Sequence, residues 1–106
     1  MNYHVSSRYD EEQRRWRVDL SGEVDIFTSP EFREYLLLLT DKAESDMTIN
    51  CARLEYLDST ALGSLVSVLK RVRSYSGRMA LAGLKPNIAK LFKVTSLDKV
   101  FDIEGD

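Results

Sequence analysis

The sequence predicts a single α/β domain, residues 1–106, in which helices pack on a mixed β-sheet. Two segments of alternating apolar and polar residues near the amino terminus flank a short polar stretch, which indicates an antiparallel strand pair. Farther along, strand-like apolar segments alternate with segments of helical periodicity, as is typical of βαβα crossovers between parallel strands. A chain of 106 residues is long enough for one hydrophobic core and too short for two independent ones.

The first elements follow from the alternation itself. Tyr3–Tyr9 and Trp16–Leu20 read as strands, joined by a hairpin-like turn over the polar residues 10–15. Residues 21–25 break the alternation and are predicted to form a loop. The segment Thr28-Ser29-Pro30-Glu31 then predicts a helix start, because it places a serine before a proline at the first helical position and an acid in the first turn.

The first helix carries an apolar stripe that indicates its buried face. The stripe consists of Phe32, Tyr35, Leu36, Leu39 and Ala43. Leu37 and Leu38 fall outside it, and we expect them either to be covered by another element or to form an exposed apolar patch. The alternation of Met47, Ile49 and Cys51 then predicts a short buried strand, and residues 52–57 are expected to lead into the second helix.

The second helix is predicted to run from the region of Ser59 toward a stop at Gly77. Its apolar stripe consists of Leu62, Leu65, Val66, Leu69 and Val72. Three basic residues near its carboxyl end complement the helix dipole: Lys70, Arg71 and Arg73.

The remaining elements complete the alternation. Met79–Ala82 is a continuous apolar run and reads as a central strand, and Pro86 begins a third helix. The residues of this helix expected to point inward are Ile88, Leu91, Phe92 and Val94. Leu97–Val100 is predicted to add a helical turn and Phe101–Ile103 a last edge strand.

Composition excludes several classes of function. Fifteen basic and 17 acidic residues give a net charge of −2, which argues against a general nucleic-acid binder. One cysteine, Cys51, and one histidine, His4, leave no internal disulfide, no zinc site and no Ser-His-Asp arrangement. The longest apolar run, Tyr35–Leu39, is too short to span a bilayer, and no signal peptide is visible. We therefore expect a cytoplasmic protein without cofactor or metal.

The segment Leu57–Gly63 is the strongest functional candidate, because it places Asp58, Ser59 and Thr60 where a strand turns into a helix. Serine and aspartate are common helix caps, and a cap is the simplest interpretation. Three consecutive cap-competent residues exceed what one helix start needs. The small residues that follow, Ala61, Gly63 and Ser64, leave the first turn open to another molecule. A helix amino terminus also favours a phosphate.

Two further acids follow the second predicted strand. Glu23 and Asp25 are either part of a solvated loop or, in the case of Asp25, placed beside Asp58 to form an acidic rim around Ser59. Without a third ligand or a glycine-rich loop, these carboxylates are a weak indication of metal binding or of acid–base catalysis. No histidine or lysine is identifiable as a base for Ser59, so an enzyme with a serine nucleophile is disfavoured.

Three segments together resemble the STAS domain, in particular the small stand-alone bacterial anti-sigma factor antagonists. Leu20–Asp25 resembles the end of the family's second strand, and Leu57–Gly63 resembles its phosphorylation loop. Residues 77–86, followed by Leu91-Phe92 and Leu97, resemble its carboxyl-terminal half. The resemblance covers nearly the whole chain. Two departures from the family pattern are Thr60 after the serine and Ala61 in place of a common glycine.

The resemblance implies that Ser59 is the phosphoacceptor, with Thr60 as second choice. It implies a kinase partner, an anti-sigma factor with a histidine-kinase-like ATP-binding fold, that binds the unphosphorylated protein and releases its sigma factor. A PP2C-type phosphatase would reset the switch. The expected partner-binding residues are Glu23, Asp25, Asp58, Ser59, Thr60, Ala61, Gly63 and Ser64.

The sequence leaves alternatives for the oligomeric state of the protein and for its role. We expect a monomer or weak dimer that binds neither nucleic acid nor membrane. The alternative role is that of a STAS scaffold subunit in a stress-sensing assembly or in a lipid-transport ATPase complex, with Leu37 and Leu38 as contact surface.

Overall fold

The computed structural model describes residues 2–105 and shows one five-stranded sheet with the strand order β1-β2-β3-β4-β5. β1 is antiparallel to β2, and all other neighbouring strands are parallel. The strands are β1 (Tyr3–Asp10), β2 (Arg15–Val24), β3 (Asp46–Leu57), β4 (Met79–Ala82) and β5 (Asp102–Glu104). The helices are α1 (Ser29–Lys42), α2 (Ser59–Ser74) and α3 (Pro86–Val94), followed by a 3₁₀ turn at Leu97–Lys99. The predicted mixed α/β architecture is confirmed.

The hydrophobic core lies between the helices and one face of the sheet. Val18, Ile49 and Leu81 are each at most 1% exposed and belong to the same buried cluster as residues of all three helices. The alternate residues of the strands, such as His4 and Asn50, are exposed. Because successive strand side chains point to opposite faces, one sheet face supports the helices and the other is polar.

Two strands are longer than the sequence indicated, and this positions the site. Residues 21–24, predicted as a loop, continue β2, with shifts in the β2–β3 register around Gly22. Gly22 has φ +89°, and a Cβ there would collide with the backbone carbonyl of Asn2. Because of this irregularity, residues 21–24 do not follow the alternation of apolar and polar residues that indicates a strand in a sequence. Likewise, residues 52–57 extend β3 as far as Leu57 instead of forming a lead-in to α2.

Three helix ends differ from the predictions. Thr28 occupies the N-cap position of α1 without a capping bond from its side chain, so that Ser29 and not Pro30 is the first helical residue. At the end of α2 the left-handed residue is Ser76, with φ +66°, and not the expected Gly77. Val94, expected to point inward, is 71% exposed because α3 ends at that residue.

Smaller differences concern the sheet edge and the predicted apolar patch. β4 pairs with β3 on one side and β5 on the other, so the prediction of a central strand at Met79–Ala82 is confirmed. The last strand begins at Asp102, one residue later than predicted, because Phe101 turns into the core. Of the two leucines outside the α1 stripe, Leu37 packs against the core and Leu38 is 57% exposed.

The thiol of Cys51 should be chemically inert in the folded protein. The residue is 2% exposed, and burial raises the pKa of its thiol to about 12 from an ordinary value of 9.0. We expect a disulfide reagent such as DTNB, at about pH 8, to modify the native protein at least ~100-fold more slowly than the urea-unfolded chain. Because only the unfolded thiol ionises between about pH 9 and 12, the same shift should lower stability in that window and leave neutral pH unaffected. Rapid native labelling would contradict the burial of Cys51.

Candidate functional site

The site forms where two loops meet at the carboxyl ends of β2 and β3. These strands are parallel neighbours, and Val24 and Leu57, their last residues, lie opposite each other. Asp25 and Asp58 directly follow them, so the register of the sheet brings the two acids to the same edge. The backbone N–H of Asp58 also donates to the carbonyl of Val24 at 3.4 Å.

The side chain of Asp58 holds both loops. Its Oδ1 accepts a hydrogen bond from the backbone N–H of Ala61 at 2.9 Å, and its Oδ2 accepts one from the backbone N–H of Ile26 at 2.9 Å. Its backbone is extended, with φ −93° and ψ 179°, as an N-cap requires. Asp58 is therefore the cap of α2 and also the attachment point of the β2–α1 loop.

Ser59 is the first helical residue and not the cap, which corrects the simplest interpretation of the sequence. Asp58 comes first after the strand and takes the capping position, so the Ser59 hydroxyl is left exposed. Within residues 2–105 this hydroxyl makes no hydrogen bond, and the backbone N–H groups of Ser59 and Thr60 have no protein acceptor. Thr60 is also exposed. Free N–H groups at a helix amino terminus can accommodate a phosphate.

Asp25 is nearby but is engaged in the turn that precedes α1. Its Oδ1 accepts from the backbone N–H groups of Phe27 at 3.0 Å and Thr28 at 3.1 Å, and from the Thr28 hydroxyl at 3.1 Å. Neither Asp25 nor Asp58 forms a salt bridge within the described part of the chain. The two carboxylates thus leave negative charge unneutralised at this edge. Glu23 is exposed on β2, paired with Tyr56.

The first turns of α2 expose fewer of the predicted residues than expected. Ala61 is fully buried, and Ser64 is 9% exposed with its hydroxyl 3.4 Å from the carbonyl of Ser29. Both side chains are therefore turned into the domain, and a partner would meet the open first turn of α2 and not these side chains; their partner-binding role stays a prediction. Gly63 is exposed, and an added Cβ would have nothing within 4 Å. No internal contact therefore requires glycine at this position.

Two residues of the site were missed by sequence reasoning. Ile26 is 55% exposed and Phe27 is 87% exposed, both in the loop that Asp58 holds. The available signal was a pair of large apolar residues immediately before the polar helix start at Thr28-Ser29-Pro30. Adjacent exposed apolar residues in a short polar connection are candidates for an interface, and the structure places these two outside the core.

Two clefts with polar linings lie away from Ser59 and are not lined by it. His4 lies at the start of β1, in a cleft of about 230 Å³ with Ser6, Asp19 and Asn50. A cleft of about 500 Å³ lies near the amino ends of β3 and β4, beside Ser45. Among residues 2–105 no group of three or more His, Cys, Asp or Glu side chains could hold a metal ion. Over the same residues, no helix is both long and apolar enough to span a membrane.

A comparison with family models decides the family. The model of the STAS domain matches residues 10–106. The chain belongs to the STAS domain family. The resemblance seen in the sequence is thereby confirmed.

Relatives and solved structures agree with this membership. An anti-sigma-B factor antagonist of Bacillus subtilis (strain 168) is 32% identical to this STAS domain over 105 residues, which cover 99% of this chain and 94% of that protein. An anti-sigma factor antagonist from Mycobacterium paratuberculosis has a TM-score of 0.77 at 20% identity and covers 94% of this chain and 85% of its own.

The Bacillus protein SpoIIAA shares the fold in both of its solved forms. Its unphosphorylated form has a TM-score of 0.80 at 17% identity, over 97% of this chain and 88% of its own. Its phosphorylated form has a TM-score of 0.74 at 17% identity, over 97% of this chain and 91% of its own. These structures confirm the fold of this STAS domain.

Replacement of Asp58 tests its double role. We expect Asp58→Ala to lower the free energy of unfolding by about 1–3 kcal/mol, because it removes the cap of α2 and the acceptor for the Ile26 N–H. Asp58→Asn keeps one carbonyl oxygen and should lose less. The matched control is Glu55→Ala, an exposed acid at the end of the same strand. Equal urea midpoints for Asp58→Ala and Glu55→Ala would contradict the capping role.

Proposed function

We propose that this STAS domain is an anti-sigma factor antagonist controlled by phosphorylation of Ser59. In its unphosphorylated form it binds an anti-sigma factor and releases the sigma factor held by that protein, which allows transcription. Phosphorylation of Ser59 reverses the binding. The 32% identity to the Bacillus subtilis anti-sigma-B factor antagonist, over 99% of this chain, supports the proposal at the level of the whole protein.

The free hydroxyl of Ser59 is the observation that carries the site assignment. It is exposed, makes no hydrogen bond within residues 2–105, and stands at the first position of α2. Asp58 supplies the cap, so phosphorylation of Ser59 does not remove the bond that starts the helix. The helix dipole and the free N–H groups of the first turn tolerate the added charge within the domain.

The added phosphate acts by exclusion. It places nearly two negative charges on a surface that a partner must cover. Asp25 and Asp58 are already unpaired acids at this edge, and no described cation is bonded to them. If a docked partner leaves the phosphate without a matching cation, a cost of about 3–4 kcal/mol corresponds to a few hundredfold in affinity. A large conformational change is not needed.

The partners that we propose for this switch are those that the family resemblance implies. The anti-sigma factor itself acts as the kinase of Ser59, through a histidine-kinase-like ATP-binding fold, and a PP2C-type phosphatase removes the phosphate. We propose a regulated binding protein and not an enzyme, a view supported by the lack of any base bonded to the Ser59 hydroxyl within residues 2–105. We place this exchange in the cytoplasm.

Substitution of Ser59 should separate the two states of the switch. We expect Ser59→Ala to bind the anti-sigma factor kinase with wild-type affinity in the presence of ATP and to resist release. Ser59→Asp should bind at least ~10-fold more weakly, since one charge reproduces part of the effect of a phosphate. Affinity can be measured by calorimetry with the purified proteins, and the phosphorylated residue by mass spectrometry.

The control for added charge is Ser76→Asp, an exposed serine at the other end of α2 whose left-handed backbone an aspartate tolerates. It should leave affinity unchanged. Full affinity of Ser59→Asp would refute exclusion, and phosphate found only on Thr60 would move the acceptor. A stoichiometric complex that is insensitive to both residues would instead favour the scaffold role.

Substitution of Gly63 should change the stability of the domain and its affinity for a partner in different directions. Because a Cβ would meet nothing there, Gly63→Ala should raise the free energy of unfolding by about 0.5–1 kcal/mol through helix propensity. If a partner approaches the first turns of α2 closely, the same variant should bind the anti-sigma factor more weakly despite its greater stability. Unchanged affinity would show that Gly63 lies outside the contact.

A further inference from the structure

Two exposed apolar residues lie in the β2–α1 loop, which is bonded to Asp58, the residue before the proposed phosphoacceptor. Phe27 is 87% exposed, the largest value among the large apolar side chains of residues 2–105, and Ile26 is 55% exposed. Tyr56, 49% exposed, lies near the end of β3 two residues before Asp58. We call Ile26, Phe27 and Tyr56 the apolar edge. Its three members share the end of the sheet that carries Ser59.

The other exposed large apolar side chains of residues 2–105 lie on other elements. Leu38 is in α1, Val94 ends α3 and Val100 follows the 3₁₀ turn. Single exposed apolar residues are ordinary on a protein surface, whereas a cluster beside a functional residue is typical of an interface. The apolar edge is thus the best candidate for a surface that a partner protein buries.

The loop that carries Phe27 is held in place by hydrogen bonds. The backbone N–H of Phe27 donates to Oδ1 of Asp25 at 3.0 Å, and the backbone N–H of Ile26 donates to Oδ2 of Asp58 at 2.9 Å. An aromatic ring on a fixed loop loses less conformational freedom on docking than a ring on a mobile one. Phe27 is therefore preorganised as an anchor.

We propose that Phe27 is the docking anchor for the anti-sigma factor kinase and enters an apolar socket on that protein; this inference rests on the proposed function. A kinase that reaches the Ser59 hydroxyl must cover the residues bonded to its neighbour Asp58, and the loop of Phe27 is bonded there. The anchor is thus continuous with the surface on which phosphate is transferred.

Charge disfavours the other occupants of the apolar edge. Four acidic side chains lie on the strand ends and loop starts around it, and none forms a salt bridge within residues 2–105: Glu23, Asp25, Glu55 and Asp58. A second copy of this chain would bring the same acids face to face, and an anionic lipid surface would repel them. A different protein with a complementary surface meets neither obstacle.

Anchor and switch then have separate effects. Phe27 supplies binding free energy whether or not Ser59 reacts, so its loss should weaken the encounter complex and leave the transfer of phosphate unchanged. Ser59 supplies the chemistry and the later repulsion. The kinetic signature of the anchor is a raised KM with an unaltered kcat.

The test is the phosphorylation of Phe27→Ala by the purified anti-sigma factor kinase with ATP. We expect the KM for the antagonist to rise about 10- to 100-fold, the value of one buried aromatic ring, with kcat within about twofold of wild type. Thermal stability should be unchanged because the ring is 87% exposed. Phe27→Leu should recover most of the affinity. The matched control is Leu38→Ala, which removes another exposed apolar side chain and should change neither constant.

The outcomes distinguish this inference from the proposed function. If Phe27→Ala keeps the wild-type KM while Ser59→Asp loses affinity, the switch stands and the anchor is wrong. A loss confined to kcat would also overturn the anchor, since it would assign Phe27 to the transfer step. If no anti-sigma factor kinase binds the wild-type protein, both proposals are wrong. Loss of self-association or of vesicle binding in Phe27→Ala, with an unchanged KM, would assign the apolar edge to another occupant.

Discussion

The carboxylate of Asp58 is the interaction on which the site depends. One oxygen caps α2 and the other holds the β2–α1 loop, so a single side chain fixes the two segments that meet at the carboxyl ends of β2 and β3. This arrangement requires that the strands lie parallel and end together, and the pairing of Val24 with Leu57 provides this. Parallel strands of a mixed sheet bring the starts of successive helices to one edge, which is where ligands and partners of such folds are commonly bound.

Because Asp58 takes the capping position, Ser59 has no structural duty within the described residues. A hydroxyl that caps a helix would lose its capping hydrogen bond when it is phosphorylated, and the folded state would be destabilised. In the proposed switch, a phosphate on Ser59 would meet free N–H groups at a helix amino terminus, so the folded state would tolerate it. The added charge would then act mainly against a docked partner. Under this proposal, Asp58 stabilises the fold and Ser59 controls binding.

The same edge of the sheet carries both acidic side chains and exposed apolar side chains. Unpaired acids around Ser59 favour solvation, whereas the rings of Phe27 and Tyr56 favour burial. An interface with an apolar centre and a charged surround is typical of complexes that form and dissociate. In this protein the hydrogen bonds of Asp25 and Asp58 keep the loop ordered. Binding of a partner to this surface therefore does not require the loop to lose conformational entropy first.

The sequence by itself determined the alternation of strands and helices, the antiparallel start of the sheet and the start of a helix close to Asp58, because hydrophobic period and cap chemistry are local. It did not reveal that β2 continues past Gly22, because the irregular register there depends on contacts with β1 and β3. Only the tertiary structure turned Ala61 inward and brought the loop of Ile26 and Phe27 to Asp58, the residue before Ser59. The packed face of a helix and the register between strands depend on residues far apart in the chain, which no local pattern contains.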